Sequence, residues 1–394
     1  MLALLTLAAL PAFDLAAYEK PRVIAQAAAA LVVEVKTVTA ARNPRSAGGP
    51  HDFSSDGDYW WPDPKDPGAP YIQRDGMTNP DNFVAHRQAL LAFGRTFDAL
   101  AAAYKLTHDE RFAVRAVQHL HAWFVAPETK MNASLLYSQA IKGRFTGRSI
   151  GVIDTLHLAE VALGIEALRG AKTFPKDEEA AVTVWFRDYL AWMTTHPYGV
   201  DESNAKNNHG TCAWLQIACF AHLTGNAEKL AAARTRLKEV LLPNQMAADG
   251  SFPQELARTK PYGYSIFNLD VMTALAVVCS TPQENLMTWS LPDGRNLVRG
   301  VAWLAPLIAD KDLWLKTARH DVVAKKGGVA TSESVKPDVM YWDDWPVRQP
   351  CLIFGALAAG NEAWLATWEK LNPDPRVEEI IRNYPIRQPV LWVR

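Results

Sequence analysis

Apolar residues recur three or four positions apart along most of this chain, and strictly alternating stretches are scarce. Leu90, Phe93, Phe97, Leu100 and Tyr104 share one helical face, and Ile150, Ile153, Leu156, Leu163 and Leu168 share a second. Ala181, Trp185, Tyr189 and Trp192 mark a third, and similar patterns run around 212–224, 228–241, 266–279, 296–308 and 351–370. A length of 394 residues alone would suggest two or three domains. Helices of roughly 12 to 20 residues joined by short Pro/Gly turns instead predict antiparallel helical hairpins. With no internal repeat and no low-complexity linker, the hairpins are expected to close into one all-α domain over 14–394.

Two irregular segments break this order. The first, about 39–82, reads SAGGPHDFSSDGDYWWPDPKDPGAPYIQRDGMTNPDNF over most of its length. A structureless stretch this long in a compact protein is usually functional or disordered, and its density of aromatics argues against disorder. The second, 321–350, contains KKGG and YWDDWP and is a weaker candidate for the same role.

The formal net charge of −1 supplies no basic field for nucleic acid or an anionic membrane surface, so an anionic ligand must be met by local cations. Tryptophan is the compositional outlier, with 14 residues, and its faces suit sugar rings as well as cores. Cys212, Cys219, Cys279 and Cys351 include no C-x-x-C pair and read as buried thiols. The opening MLALLTLAALPAF has the length of an export-signal apolar region but lacks a basic start, so residues 1–13 read equally as a signal remnant or a first helix. A periplasmic or secreted location follows if the substrate is extracellular.

Residues 205–214, AKNNHGTCAW, set two carboxamides and an imidazole where a helix is about to begin. The plain reading is a turn followed by Thr211 as the helix cap. A second stretch, DGSFPQELARTKPYGYS at 249–265, concentrates Glu255, Arg258, Lys260, Tyr262 and Tyr264. An imidazole, a carboxamide, a guanidinium and a phenol together suit abstraction of a proton beside a carboxylate. Removing that proton adds charge to an anionic group, and Asn208 and Arg258 are the donors that would disperse it. A phenol beside Arg258 could serve as base and, once protonated, as acid. Singly, each residue has a plainer role: His209 as a cap, Arg258 paired to Glu255 three residues away, the tyrosines as core.

Taken together, four stretches resemble the alginate-lyase-type polysaccharide lyases, most closely polysaccharide lyase family 38. They are DYWWPDP–PYIQRDG–NPDNF (58–83), QAIKGRFTGRSIGVIDT (139–155), NNHGTCAW (207–214) and DGSFPQELARTKPYGYSIFNLD (249–270). The resemblance implies an (α/α) toroid of about six or seven hairpins with the 39–82 segment as lid. It places Asn208, His209, Arg258 and Tyr264 at the family's catalytic positions, with Tyr262 as the competing phenol. The implied reaction is β-elimination in a β-1,4-linked uronate polymer, glucuronan or polymannuronate, giving a 4,5-unsaturated product. Trp60 and Trp61 would stack on sugars unless they only anchor the lid, and Arg45 and Arg74 would meet carboxylates. Gln139, Arg148, Lys260 and Tyr262 are the further substrate-binding candidates. No metal or other cofactor motif is present, since the DGD at 56–58 is too small a cluster for calcium. The expected partner is an anionic uronate polysaccharide, with no nucleic acid or membrane, and the oligomeric state stays open.

Two other readings compete. An inverting glycoside hydrolase on the same toroid would draw two carboxylates from Asp201, Glu202, Asp249 and Glu255. A non-catalytic uronan-binding protein would use only the tryptophan-rich loop.

Overall fold

The inner and outer helices of the ring are told apart by what they bury. In this computed structural model, which describes residues 13–316 and 346–393, helix Pro261–Cys279 buries 17 of its 19 residues, whereas Ala227–Arg236 buries only Ala233. The segment 1–12 of the expected signal and the 321–345 part of the second irregular stretch lie outside the described residues.

Ala85–Thr107, Leu158–Ala167, Asn208–Thr224, Pro261–Cys279 and Pro350–Ala359 form the inner wall, each packed on the next in chain order. Between them the chain runs outward through Glu110–Leu120, Lys176–Thr195, Ala227–Arg236 and Leu297–Ala309, and Glu362–Lys370 follows the last. The inner helices bury most of their residues because they meet neighbours on several sides, and Pro261–Cys279 and Pro350–Ala359 are apolar almost all round; the outer ones keep a polar face. This is an (α/α) toroid. Pro261–Cys279 is long and apolar enough to cross a membrane, yet it is almost wholly buried as the central core helix. Pro389–Trp392 packs on Leu15–Ala30, Ala85–Thr107, Leu158–Ala167 and Pro261–Cys279, where Glu160 accepts the Arg387 and Gln388 amides and the Trp392 indole N–H.

Helix starts follow local chemistry. The side chains of Asp109, Asn207, Asn226, Asn296 and Asn361 each accept a backbone N–H of the first turn. Two expectations are corrected here. Thr211 is not the cap: Asn207 takes that place, and Thr211 is buried inside the helix, donating to Gln245 Oε1 at 3.1 Å. The face drawn through Ile150 to Leu168 is not one helix either. Ser149–Thr155 is a tight 3₁₀ stretch, and the α-helix starts only at Leu158.

The 39–82 segment is not structureless. Ser54–Asp56 pairs in parallel with Tyr137–Ala140, and Trp60–Trp61 pairs antiparallel with Ile72–Gln73. The carboxamides of the NPDNF motif tie it down: Asn79 Nδ2 donates to the Trp60 carbonyl at 2.9 Å and Asn82 Nδ2 to that of Gly57 at 2.8 Å. Among the described residues, five of the tryptophans, Trp123, Trp185, Trp314, Trp368 and Trp392, are buried in the core.

Candidate active site

The start of the inner helix Asn208–Thr224 explains the NNHG stretch. Asn207 caps the helix, which leaves Asn208 and His209 in its first turn facing a cavity of about 480 Å³ at the mouth of the ring. Gly210 is needed for packing: a Cβ there would lie 2.1 Å from the Ala205 carbonyl oxygen. The Asn208 amide and Nδ2 donate to the two oxygens of Glu255 at 2.7 and 2.6 Å, which sets the orientation of the carboxamide. Burial pushes the Glu255 carboxyl up, while the Asn208 hydrogen bonds and the Arg258 charge pull it back. His209 Nδ1 lies 2.6 Å from Glu202 Oε1. A carboxylate acceptor requires the proton on Nδ1, so Nε2 is the nitrogen left for a ligand.

Tyr264 enters from the first turn of the neighbouring inner helix, Pro261–Cys279. Its hydroxyl accepts from Arg258 Nη2 at 3.1 Å, and the guanidinium lies 4.2 Å from the ring centre. The same Nη2 reaches Asp75 Oδ1 at 3.1 Å, while Thr259 holds the other Asp75 oxygen at 3.1 Å. Arg258 therefore pairs with the lid and not with Glu255. Among the described residues its Nε and Nη1 carry no hydrogen bond, leaving that edge to a ligand. Burial pushes the Tyr264 phenol up to about 12, against the Arg258 charge and a hydrogen bond from Tyr59. Arg258 does favour the phenolate, as its position in the sequence suggested, but burial outweighs that effect. Burial also acts on Arg258, but Tyr264 and Asp75 outweigh it and hold the guanidinium charged.

The lid supplies the opposite wall. Asp58 Oδ1 pairs with Arg87 at 2.7 Å and its Oδ2 with Arg382 at 2.9 Å. Burial raises this carboxyl, yet Arg382 and Arg87 together carry it well below the ordinary carboxylate range. Gln139 Nε2 bridges Asp58 and Asp154 at 3.2 and 3.1 Å. Gln139 sits at φ +52°, a left-handed conformation costing on the order of 1–3 kcal/mol in a non-glycine residue. Arg148 donates from Nε to the Gln139 carbonyl at 2.8 Å and lines the cavity beside it.

The fold thus brings Asn208, His209, Arg258, Tyr264, Gln139, Arg148 and Trp60 to one cleft. It leaves other expected residues elsewhere. Tyr262 is buried and donates to the Leu307 carbonyl at 3.1 Å, outside the cleft. Lys260 pairs with Glu379 at 2.9 Å, both side chains buried, and fastens helix Glu378–Arg382 beside the site. The Trp61 indole donates to the Met77 carbonyl at 2.9 Å, and Arg74 lies over that ring, so both anchor the lid. Arg45 is paired to Asp56 and lines an adjoining cavity. Of the carboxylates weighed for hydrolysis, Glu202 alone lines the cleft, engaged with His209, while Glu255 is buried behind Asn208.

Sequence reasoning missed Asp58, Tyr59, Asp75, Arg382 and Asn383 as cleft residues. Tyr59 and Asp75 stood inside the quoted lid motif. Arg382 and Asn383 lie in IIRNY, which carries no chemical signature. Among the described residues no group of three or more His, Cys, Asp or Glu side chains is placed to hold a metal ion.

The fold is an (α/α) toroid, and its cleft gathers a phenol, a guanidinium, a carboxamide and an imidazole. The alginate lyase family model matches residues 37–314, and the chain belongs to that family; it is a polysaccharide lyase. The structure is similar to an alginate lyase from Bacteroides ovatus, with 28% identity, 96% of this chain and 94% of that one covered, and a TM-score of 0.76. A histidine-to-alanine variant of alginate lyase A1-III, complexed with tetrasaccharide, shares the fold at 15% identity, 84% coverage of each chain and a TM-score of 0.53. No curated protein sequence matches the chain.

Proposed function

We propose that this lyase cleaves β-1,4-linked uronate polymers by β-elimination without a metal ion, acting fastest on glucuronan, second on polymannuronate and poorly on polyguluronate. The observation that carries the reading is the Tyr264 hydroxyl, 3.1 Å from Arg258 Nη2, in the cleft that Asn208 and His209 also line. Alginate lyase family membership supports an alginate-type substrate.

In this mechanism the free edge of Arg258 and the Asn208 carboxamide hold the uronate carboxylate. Tyr264, as phenolate, takes the proton from C5, and the electron pair delocalises into the carboxylate that these donors stabilise. The C4–O4 bond then breaks, C4=C5 forms, and Tyr264 returns its proton to the departing oxygen. One residue suffices because in glucuronate and mannuronate the C5 proton and O4 lie on the same face. Guluronate presents them on opposite faces and would call on His209 Nε2. Glucuronate and mannuronate differ at C2, and one hydroxyl left without its partner costs about 1–3 kcal/mol, enough to rank them but not to exclude the second.

The test is initial kcat/KM on glucuronan, polymannuronate and polyguluronate, read by the ultraviolet absorbance of the unsaturated product. A clear polyguluronate preference overturns the ranking and the single-tyrosine mechanism together.

A further inference from the structure

A second cavity of about 480 Å³ adjoins the first and shares Trp60 as its wall. It lies between the lid and the turn 141–145, and these two parts are joined in a defined geometry. The Tyr71 amide donates to the Lys142 carbonyl at 3.1 Å, and Arg144 Nε donates back to the Tyr71 carbonyl at 2.9 Å. Gly143, at φ +74°, lets the turn press on Pro70, where a Cβ would meet Pro70 atoms at 3.0–3.1 Å.

The chemistry of this cavity is aromatic and cationic. Trp60, Tyr71 and Phe145 line it, and Phe145 is 56% exposed. Lys142 lies 5.6 Å from the Tyr71 ring centre and Arg144 5.3 Å from that of Trp60. Arg45 is neutralised by Asp56, whereas among the described residues Lys142 and Arg144 have no carboxylate partner. Two uncompensated cations in a hollow faced with aromatics, on a chain of net charge −1, suit a ligand of flat apolar faces and repeated negative charge. Trp60 also carries Arg148, a lining residue of the first cavity, 5.8 Å from its ring centre. Arg148, Arg144 and Lys142 therefore form a row of cations that passes from one cavity to the next.

We infer that this second cavity is a distal binding site for further uronate units of the chain held in the cleft. Its sugars rest on Trp60 and Tyr71, and their carboxylates are met by Arg144 and Lys142. The inference rests on the uronate reading of the first cavity. It gives the enzyme a preference for long chains that the catalytic residues alone would not.

The experiment compares the wild type with the double variant Lys142→Ala, Arg144→Ala on oligoglucuronates of three and eight units. The expected result is a rise of about tenfold in KM for the octamer, with kcat within twofold, and no change beyond twofold for the trimer. An unchanged octamer KM, or an equal loss on trimer and octamer, overturns the distal site. If the wild type turns over no uronan, the functional reading fails on its own. Calorimetric titration with the octamer then decides the site: about tenfold weaker binding in the double variant supports it, and equal binding removes it.

Discussion

The hydroxyl of Tyr59 lies 2.9 Å from the hydroxyl of Tyr264, joining the lid to the phenol that faces Arg258, across 205 positions of sequence. Burial drives the Tyr59 phenol well above its ordinary range, and the neighbouring Tyr264 adds to this, so Tyr59 keeps its proton and is the donor of the pair. A lid residue thereby stabilises negative charge on the proposed base.

Removing each phenol should give three distinct results. Tyr264→Phe is expected to lower kcat by roughly 10⁴, the upper range for a positioned acid–base group, with polymer binding largely kept. Tyr59→Phe should lower it only five- to tenfold, since one hydrogen bond of about 1 kcal/mol is lost. Tyr262→Phe should leave the rate intact and cost about 1–3 kcal/mol of stability, because the buried Leu307 carbonyl loses its donor. Steady-state kinetics and denaturant melts on the three variants check this.

The pH profile follows from the sign of the Tyr264 shift. A base must be deprotonated to act, and a phenol raised to about 12 is protonated at neutral pH. The kcat/KM of the free enzyme should therefore climb about tenfold per pH unit from 7 to 10 without a plateau. A flat profile over that range would assign the proton to another group.

Asn208→Ala and Arg258→Ala should each lower kcat by roughly 10²–10³, the scale for one preorganised donor to a developing anion. An effect confined to KM would show that the residue binds substrate and transition state alike. Glu255→Ala should lower kcat and also cost about 1–3 kcal/mol of stability, because the buried Asn208 amide loses its acceptor.

Asp58 ties stability to acid. Its native carboxyl is depressed by Arg382 and Arg87 despite burial, so its contribution is fully present above the unfolded value of about 4. That contribution is lost as pH falls from there through the depressed native value. Asp58→Asn should cost about 3–5 kcal/mol near neutral pH, because it leaves the buried Arg87 and the partly buried Arg382 guanidinium facing a neutral amide. The variant should also flatten the acid limb of a stability–pH curve measured by urea melts.

The local half of this protein is legible in its sequence. Helical periodicity and the two motifs around Asn208 and Arg258 act over three to seven residues, and such short-range chemistry reads directly from order. Asn207 illustrates the limit: a cap was expected in the right turn, but at Thr211, because Asn and Thr side chains both suit the role. What tertiary structure decided is which polar side chains face the cleft. Tyr262 and Tyr264 are two residues apart on one helix, roughly 200° around its axis, so one is turned to the core and the other to the cavity. Lys260 was drawn away by Glu379, a carboxylate 119 positions later, and Arg382 was drawn in by Asp58, 324 positions earlier. Buried charges must find partners wherever the fold brings them together, and no local pattern encodes a pairing made across the ring.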